Sequence, residues 1–100
     1  MHYLLFYEKA PDHEQRRIPV AADHIAYVKS AANGGELVLA GSMSNPDDGA
    51  ALLLFESPSP EAAENFARAD PYVVHGVVSR WYVRPWTTVA GKYAVVPSPE

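Results

Sequence analysis

The order in which strand and helix patterns alternate along this chain restricts it to a small set of folds. Short runs of aliphatic and aromatic residues predict four strands, at residues 2–8, 36–40, 50–56 and 77–86. Amphipathic or capped segments predict two helices, at residues 19–33 and 60–69. This β-α-β-β-α-β order is typical of an α+β, ferredoxin-like fold, in which an antiparallel sheet carries both helices on one face.

A single stripe of mostly apolar residues at helical spacing predicts the first helix. Its members are Ala21, His24, Ile25, Val28, Ala31 and Ala32. Pro19 fits an early helical position, where its missing N–H is tolerated, and Gly34-Gly35 supplies the left-handed residue that ends many helices. His24 therefore lies in the middle of the helix face that is expected to pack against the sheet.

Start and stop signals bound the second helix. Ser59 suits the N-cap, Pro60 the first helical position, and Glu61 the positive end of the helix dipole. Pro71 disfavours helical geometry at Asp70 and marks the end of the helix. Asp70 nevertheless shares one helix face with Ala63, Phe66 and Ala67. A carboxylate at this C-terminal position meets the negative end of the dipole, which costs about 0.3–1 kcal/mol.

The length of 100 residues predicts a single domain, with a core at residues 2–86 and a C-terminal extension at residues 87–100. No helix or strand is predicted for the polar residues between the first strand and Arg17. Residues 72–76 are expected to be irregular, and residues 93–96 are expected to form one more short strand.

Composition excludes several classes of protein. The net charge is −4 and no basic run exists beyond Arg16-Arg17, which disfavours a nucleic-acid surface. No apolar stretch approaches the ~18 residues of a membrane span, and the first residues lack the charged start of a signal peptide. The chain has no cysteine, which fits a reducing compartment. These features predict a soluble, cytoplasmic protein with no membrane or nucleic-acid partner.

His24 and Asp70 are the polar residues that share apolar helix faces. In the predicted fold the two helices lie side by side, so both residues face one cleft. A histidine beside a carboxylate is a common arrangement for general acid–base catalysis, because the carboxylate fixes the imidazole tautomer. Each residue alone also has a structural interpretation. His24 can be a core histidine bonded to a carbonyl, and Asp70 can be a turn residue that caps the following N–H groups.

Other residues complete the predicted site. Arg16 and Arg17 lie just before the first helix and could bind an anionic small-molecule substrate, although a solvated arginine pair is the alternative; of the two, Arg17 is the predicted substrate-binding residue. Ser42 is predicted to contact the substrate, and no elbow motif supports it as a nucleophile. Tyr7 and Trp81 are interpreted as core or dimer contacts. The remaining histidines show no metal-ligand spacing with His24, so the sequence predicts neither a metal nor another cofactor.

The last predicted strand carries large apolar residues on both faces. Val78, Tyr82 and Trp86 alternate with the second set, which comprises Val77, Trp81 and Val83. Since both helices cover the same sheet face, something else must cover the other one. The simplest candidate is a second copy of this chain, which predicts a homodimer.

From Tyr3 to about Trp86 the chain resembles the YciI-like family, or YCII-related domain. The resemblance rests on the order and spacing of short segments, among them YLLFY at 3–7, DHIAY at 23–27, LAGS at 39–42 and ADPY at 69–72. It implies a ferredoxin-like fold paired into a dimeric α+β barrel, with the family's histidine and aspartate at His24 and Asp70. Some relatives are implicated in dehydrohalogenation of chlorinated aromatic degradation products, and the wider group includes muconolactone isomerase-like proteins.

The sequence leaves more than one class of function open. The first is a small lyase or isomerase, in which His24 moves a proton and Asp70 orients it, acting on a compact, anionic cyclic metabolite. The alternative is a non-catalytic ligand-binding or interaction module in which the two residues are structural. A third is a subunit that assembles only with a different partner.

Overall fold

Four strands form one antiparallel sheet in the order β2-β3-β1-β4, in a computed structural model that describes residues 1–96. The strands are β1 (His2–Lys9), β2 (Leu37–Ser42), β3 (Ala51–Glu56) and β4 (Val78–Trp86). The helices are α1 (His13–Arg16), α2 (Ala21–Asn33), α3 (Glu61–Ala69) and α4 (Pro71–Val74). None of these helices has the length and apolar character needed to cross a membrane. The predicted ferredoxin-like α+β fold is confirmed, whereas the dimeric barrel stays a prediction.

Alternation along the strands separates two faces of the sheet. Buried side chains of β1, β3 and α3 form one apolar cluster, which includes Tyr3, Leu5, Tyr7, Leu53, Phe55, Ala63, Phe66 and Ala67. Each fully buried Leu or Phe contributes roughly 1.5–3 kcal/mol relative to an exposed one. The core therefore lies between the sheet and α3, and it forms the base on which the site is built.

The first helical region differs from the prediction at its start and in its packing. The polar stretch before Pro19 contains the four-residue α1, and Pro19 lies in the turn that follows it rather than in α2. No residue of α2 is fully buried, and Ile25 and Ala32 are exposed. Tyr27 packs against the core instead, and its hydroxyl donates to the carbonyl of Phe66 at 2.9 Å. The helix therefore lies at the edge of the core, which leaves a cleft between it and the sheet.

Asp70 lies at a junction between two helices. The hydroxyl of Ser59 accepts from the N–H of Glu61 at 3.3 Å, and α3 runs to Ala69 as predicted. Residues 72–76, expected to be irregular, instead include most of α4. Asp70 is extended, with φ −63° and ψ 126°, and its carboxylate accepts the N–H of Tyr72 at 3.0 Å. The same residue thus ends α3 and caps α4.

A change of register in the sheet moves one residue to the other face. The pairing of β1 with β4 shifts between Glu8 and Lys9, so Lys9 pairs with Val78. Val78 consequently joins the helix-side core. Uninterrupted alternation had predicted it on the same face as Tyr82, and that prediction is wrong because a bulge places two residues of one strand opposite one of the other.

The chain after β4 folds back without forming a strand. Residues 93–96 form turns and bends, so the predicted short strand is wrong. The hydroxyl of Thr88 accepts the N–H of Val95 at 3.0 Å, and its carbonyl accepts the N–H of Val96 at 3.1 Å. Thr88 also bonds Nδ1 of His2 at 2.8 Å. The rest of the predicted extension, residues 97–100, lies outside the described residues.

Gly49 allows a close approach that a larger residue would prevent. Its φ is 81°, and a Cβ there would lie 2.6 Å from Cε1 of His13. Gly49→Ala is expected to lower the free energy of unfolding by more than the roughly 1–2 kcal/mol cost of a left-handed alanine, because His13 must also move. Gly35→Ala is the matched control, since Gly35 has φ 94° and no neighbour within 4 Å. Thermal unfolding measures both, and equal losses would contradict the clash.

Candidate active site

His24 and Asp70 meet at the cleft between α2 and the α3–α4 junction. Nδ1 of His24 lies 2.7 Å from Oδ1 of Asp70. The side chain of Asp70 is fully buried, whereas 18% of the His24 side chain is exposed. The structure therefore brings together the two residues that the sequence placed on inward helix faces. Their catalytic role stays a prediction.

Three donors satisfy the buried carboxylate of Asp70. Besides His24, the hydroxyl of Tyr7 donates to Oδ2 at 2.6 Å, and the N–H of Tyr72 donates to Oδ1 at 3.0 Å. A buried charge requires such partners, since an unpaired one is very costly. An ionised carboxylate only accepts, which assigns the proton on Nδ1 of His24 and leaves the lone pair of the neutral ring on Nε2.

Tyr72 fixes the plane of the His24 ring. The two rings are stacked with their centroids 3.7 Å apart and only 4° between their planes. Tyr72 is itself buried at the start of α4. His24 is thus held through one nitrogen and one ring face, and no side chain in residues 1–96 hydrogen-bonds its Nε2. Such restraint places a reacting atom in advance, which lowers the entropy cost of proton transfer.

Tyr7 belongs to the site as well as to the core. Burial and the hydrogen bond to Asp70 both raise the pKa of Tyr7 far above its usual value, so the hydroxyl stays protonated and remains a donor. The sequence interpretation of Tyr7 as only a core or dimer contact was incomplete. A signal existed, because alternation along β1 places Tyr7 and Lys9 on the same face as Leu5. Trp81 packs against the helix-side core.

A cleft of about 330 Å³ opens in front of His24. Arg17 and Ser42, predicted to bind substrate, both line it, and their binding role stays a prediction. Apolar walls come from α2, β2 and β3, through Ile25, Val28, Ala40, Ala51 and Leu53. His24, Arg17 and Ser42, predicted from separate parts of the chain, thus line one cavity, and Asp70 is buried behind His24.

Cationic side chains concentrate at this cleft. Lys9, Arg17 and Lys29 line it, and no Asp or Glu of the described residues does. Burial lowers the pKa of Lys9, and the neighbouring charge of Arg17 lowers it further, while Asp70 acts in the opposite direction. In a chain with a net charge of −4, this concentration favours negatively charged ligands.

The arrangement suits proton transfer by the protein's own side chains. Nε2 of His24 can accept a proton from an acidic C–H or O–H, and the carboxylate of Asp70 would stabilise the resulting imidazolium. Within residues 1–96, no group of three or more His, Cys, Asp or Glu residues could hold a metal ion. Among the side chains that line the cleft, His24 is the candidate proton acceptor.

The chain is similar to known proteins over nearly its whole length. A family model described as the YCII-related domain matches residues 1–87. Protein YciI of Escherichia coli O6:H1 and of Shigella flexneri are each 33% identical over 97 residues, covering 89% of this chain and 99% of theirs.

Two solved structures share the fold. One is 5-chloro-2-hydroxyhydroquinone dehydrochlorinase from Burkholderia phenoliruptrix in complex with 2,5-dihydroxybenzoquinone. It has a TM-score of 0.75 and 23% identity, covering 94% of this chain and 99% of that one. The other, a protein of Agrobacterium tumefaciens, has a TM-score of 0.56 and 19% identity, covering 96% and 99%. Together, the family match over residues 1–87 and the identity to YciI show that this chain belongs to the YCII-related domain, or YciI-like, family.

Proposed function

We propose that this protein is a small acid–base enzyme, a lyase or isomerase, that acts on a compact, anionic cyclic metabolite. One observation carries the proposal. Nδ1 of His24 is bound to the fully buried Asp70, while the rest of the ring borders an open cleft of about 330 Å³. A purely structural pair needs no cavity in front of it, whereas a general base needs room for its substrate.

In the proposed reaction, Nε2 of His24 removes a proton from a C–H or O–H group of the substrate ring. The electron pair of a C–H bond moves through the conjugated ring and collects on an oxygen, whereas the pair of an O–H bond stays on its oxygen. In a lyase, this pair then returns to the ring and forms a new double bond at another carbon, as a leaving group departs from that system with the electron pair of its own bond. In an isomerase, the proton returns to a different carbon. Asp70 stabilises the imidazolium, and Tyr7 holds Asp70 in place.

The size and walls of the cleft favour a single substituted ring. Its volume is at the lower end of the roughly 300–1,000 Å³ that is typical of ligand sites. Val28 and Leu53 offer apolar contacts to a planar ring, while Arg17 offers a charge. The dehydrochlorinase of similar fold is named for a chlorinated hydroxyhydroquinone, which is one such ring. That compound is therefore a suitable first substrate to test.

His24→Gln tests the base. Activity is assayed as chloride release from 5-chloro-2-hydroxyhydroquinone and as isomerisation of muconolactone. We expect wild type to convert at least one compound and His24→Gln to lower kcat about 100- to 10,000-fold, because glutamine can bond Asp70 but accepts no proton. His75→Gln, at an exposed histidine, is the control and should keep wild-type kcat. Binding of both compounds without turnover by wild type would instead support a non-catalytic binding module.

Asp70→Asn and Tyr7→Phe test the support of the base. An amide presents an N–H₂ to one of the three donors, so Asp70→Asn should lower kcat by a factor similar to that of His24→Gln. Tyr7→Phe leaves Oδ2 unpaired, which should cost about 1–3 kcal/mol of unfolding free energy and a smaller part of kcat. Asp12→Asn, which breaks an exposed pair with Arg16, is the control in denaturant unfolding. Wild-type turnover by Asp70→Asn would contradict the proposal.

We also propose that the sheet face opposite the helices binds a second copy of this chain. Apolar side chains lie across all four strands of that face, namely Leu4, Phe6, Leu39, Leu52, Leu54, Tyr82 and Trp86. Leu39 is 63% exposed and Trp86 is 47% exposed. Monomeric proteins rarely leave so continuous an apolar patch in water. Arg84 and Glu56 add charges of both signs at its rim, which a two-fold related copy can pair.

Leu54→Lys tests this interface. Light scattering after size exclusion should give wild type a mass of twice the 10.9 kDa of one chain, and Leu54→Lys a mass near one chain, because the charge would be buried unpaired. Ile18→Lys is the matched control, since Ile18 is exposed in the turn before α2, away from that face. A monomeric wild type at micromolar concentration would contradict the proposal.

A further inference from the structure

The three cations at the cleft have neither a part in the proton transfer nor a counter-ion among the described residues, and two of them, Lys9 and Arg17, lie close enough for one charge to act on the other. In the part of the chain that the structure describes, Lys9 and Arg17 make no salt bridge and no side-chain hydrogen bond. The neighbouring Arg16, by contrast, pairs with Asp12 at 2.7 Å. The chain has 12 acidic residues, so the absence of a partner at this cleft is a property of the site rather than of the composition.

The side chain of Lys9 is held in place from two sides. A Cβ on Gly49 would lie 2.9 Å from Cγ of Lys9, so the loop backbone packs against the lysine stem. Nζ of Lys9 lies 5.4 Å from the centroid of the Tyr72 ring, the same ring that stacks on His24. The ammonium group and the imidazole are therefore positioned around one aromatic ring at the cleft.

This placement is unfavourable for the protein without a ligand. Lys9 is half-buried, and both its burial and the charge of Arg17 lower its pKa. The charge of Asp70 acts in the opposite direction but has a smaller effect on the pKa of Lys9 than either burial or Arg17. A cation that loses solvent beside a like charge, with no counter-ion, destabilises a fold. A ligand that brings its own negative charge would remove this cost.

We infer that Lys9 and Arg17 form a two-cation subsite that binds a ring oxyanion of the substrate, an enolate or phenolate oxygen, beside His24. The subsite rests on the function proposed above, because it receives the oxygen on which the electron pair collects when His24 takes the proton. The ammonium group of Lys9 is a compact charge with three N–H donors, and the planar guanidinium group of Arg17 adds further N–H donors. The substrate class is accordingly a hydroxylated ring acidic enough to be an anion at neutral pH.

Calorimetric binding of two matched rings tests the subsite. The first is 2,5-dihydroxybenzoquinone, which carries ring oxyanions at neutral pH, and the second is its neutral 2,5-dimethoxy analogue. We expect wild type to bind the anion at least about tenfold more tightly, and Lys9→Met or Arg17→Met to weaken that binding about 10- to 100-fold while leaving the analogue unaffected. Lys29→Met removes the third cation of the same cleft, which, unlike Arg17, is not among the charges that shift the pKa of Lys9. It should change the affinity by less than about threefold.

One further variant, Lys9→Arg, and a thermal unfolding measurement separate the effect of charge from effects on folding and on catalysis. Lys9→Arg keeps the charge and should retain most of the affinity, and Lys9→Met should unfold at the same temperature as wild type or higher, because a repulsion is removed. Equal affinity of wild type for both rings, or an unchanged affinity for the anion in Lys9→Met, would overturn the subsite. If the subsite fails in this way while His24→Gln still loses turnover, the proposed acid–base function stands without the subsite. Conversely, wild-type turnover by His24→Gln would refute the function while the binding result still decides the subsite.

Discussion

The carboxylate of Asp70 is the constraint on which the rest of the site depends. It has no contact with water, and donors from three elements satisfy it: Tyr7 of β1, His24 of α2 and Tyr72 of α4. Loss of any one donor leaves a buried acceptor short of a partner, at a cost of about 1–3 kcal/mol. The central strand and both helical regions must therefore keep their positions together. Stability and the geometry of the candidate base have the same origin in this fold.

Asp70 also resolves a choice that the sequence left open. A turn residue that caps following N–H groups and a site residue that orients His24 were alternative interpretations, yet one carboxylate does both. It accepts the N–H of Tyr72 at the start of α4 through the same oxygen that binds His24. The dipole of α3 disfavours a negative charge here, whereas the first turn of α4 favours it. The helix junction thus explains why an acid is tolerated on an apolar helix face.

Much of this arrangement could be predicted because its sequence signals are periodic, whereas the remaining features leave no periodic signal in the sequence. Helical spacing placed His24 and Asp70 on inward faces, and the element order placed those faces together. The four-residue α1 and α4 are too short to show a period. The shift that moves Val78 into the core depends on pairing between distant strands. Alternation along β1 places the Tyr7 side chain on the helix side of the sheet, but the hydrogen bond from its hydroxyl to Asp70 is visible only in the structure.

The charged groups around the cleft, on both sides of His24, would all favour the proposed proton transfer. The carboxylate of Asp70 lies behind His24 and would stabilise the positive charge that forms on the ring during proton transfer. Lys9 and Arg17 line the cleft in which the ligand would lie, and they favour negative charge on the ring that loses the proton. Both effects stabilise the charge-separated state more than the neutral starting state, which is the requirement for catalysis rather than for tight binding alone. Cations without partners, unfavourable in the free protein, become favourable at the step where charge develops.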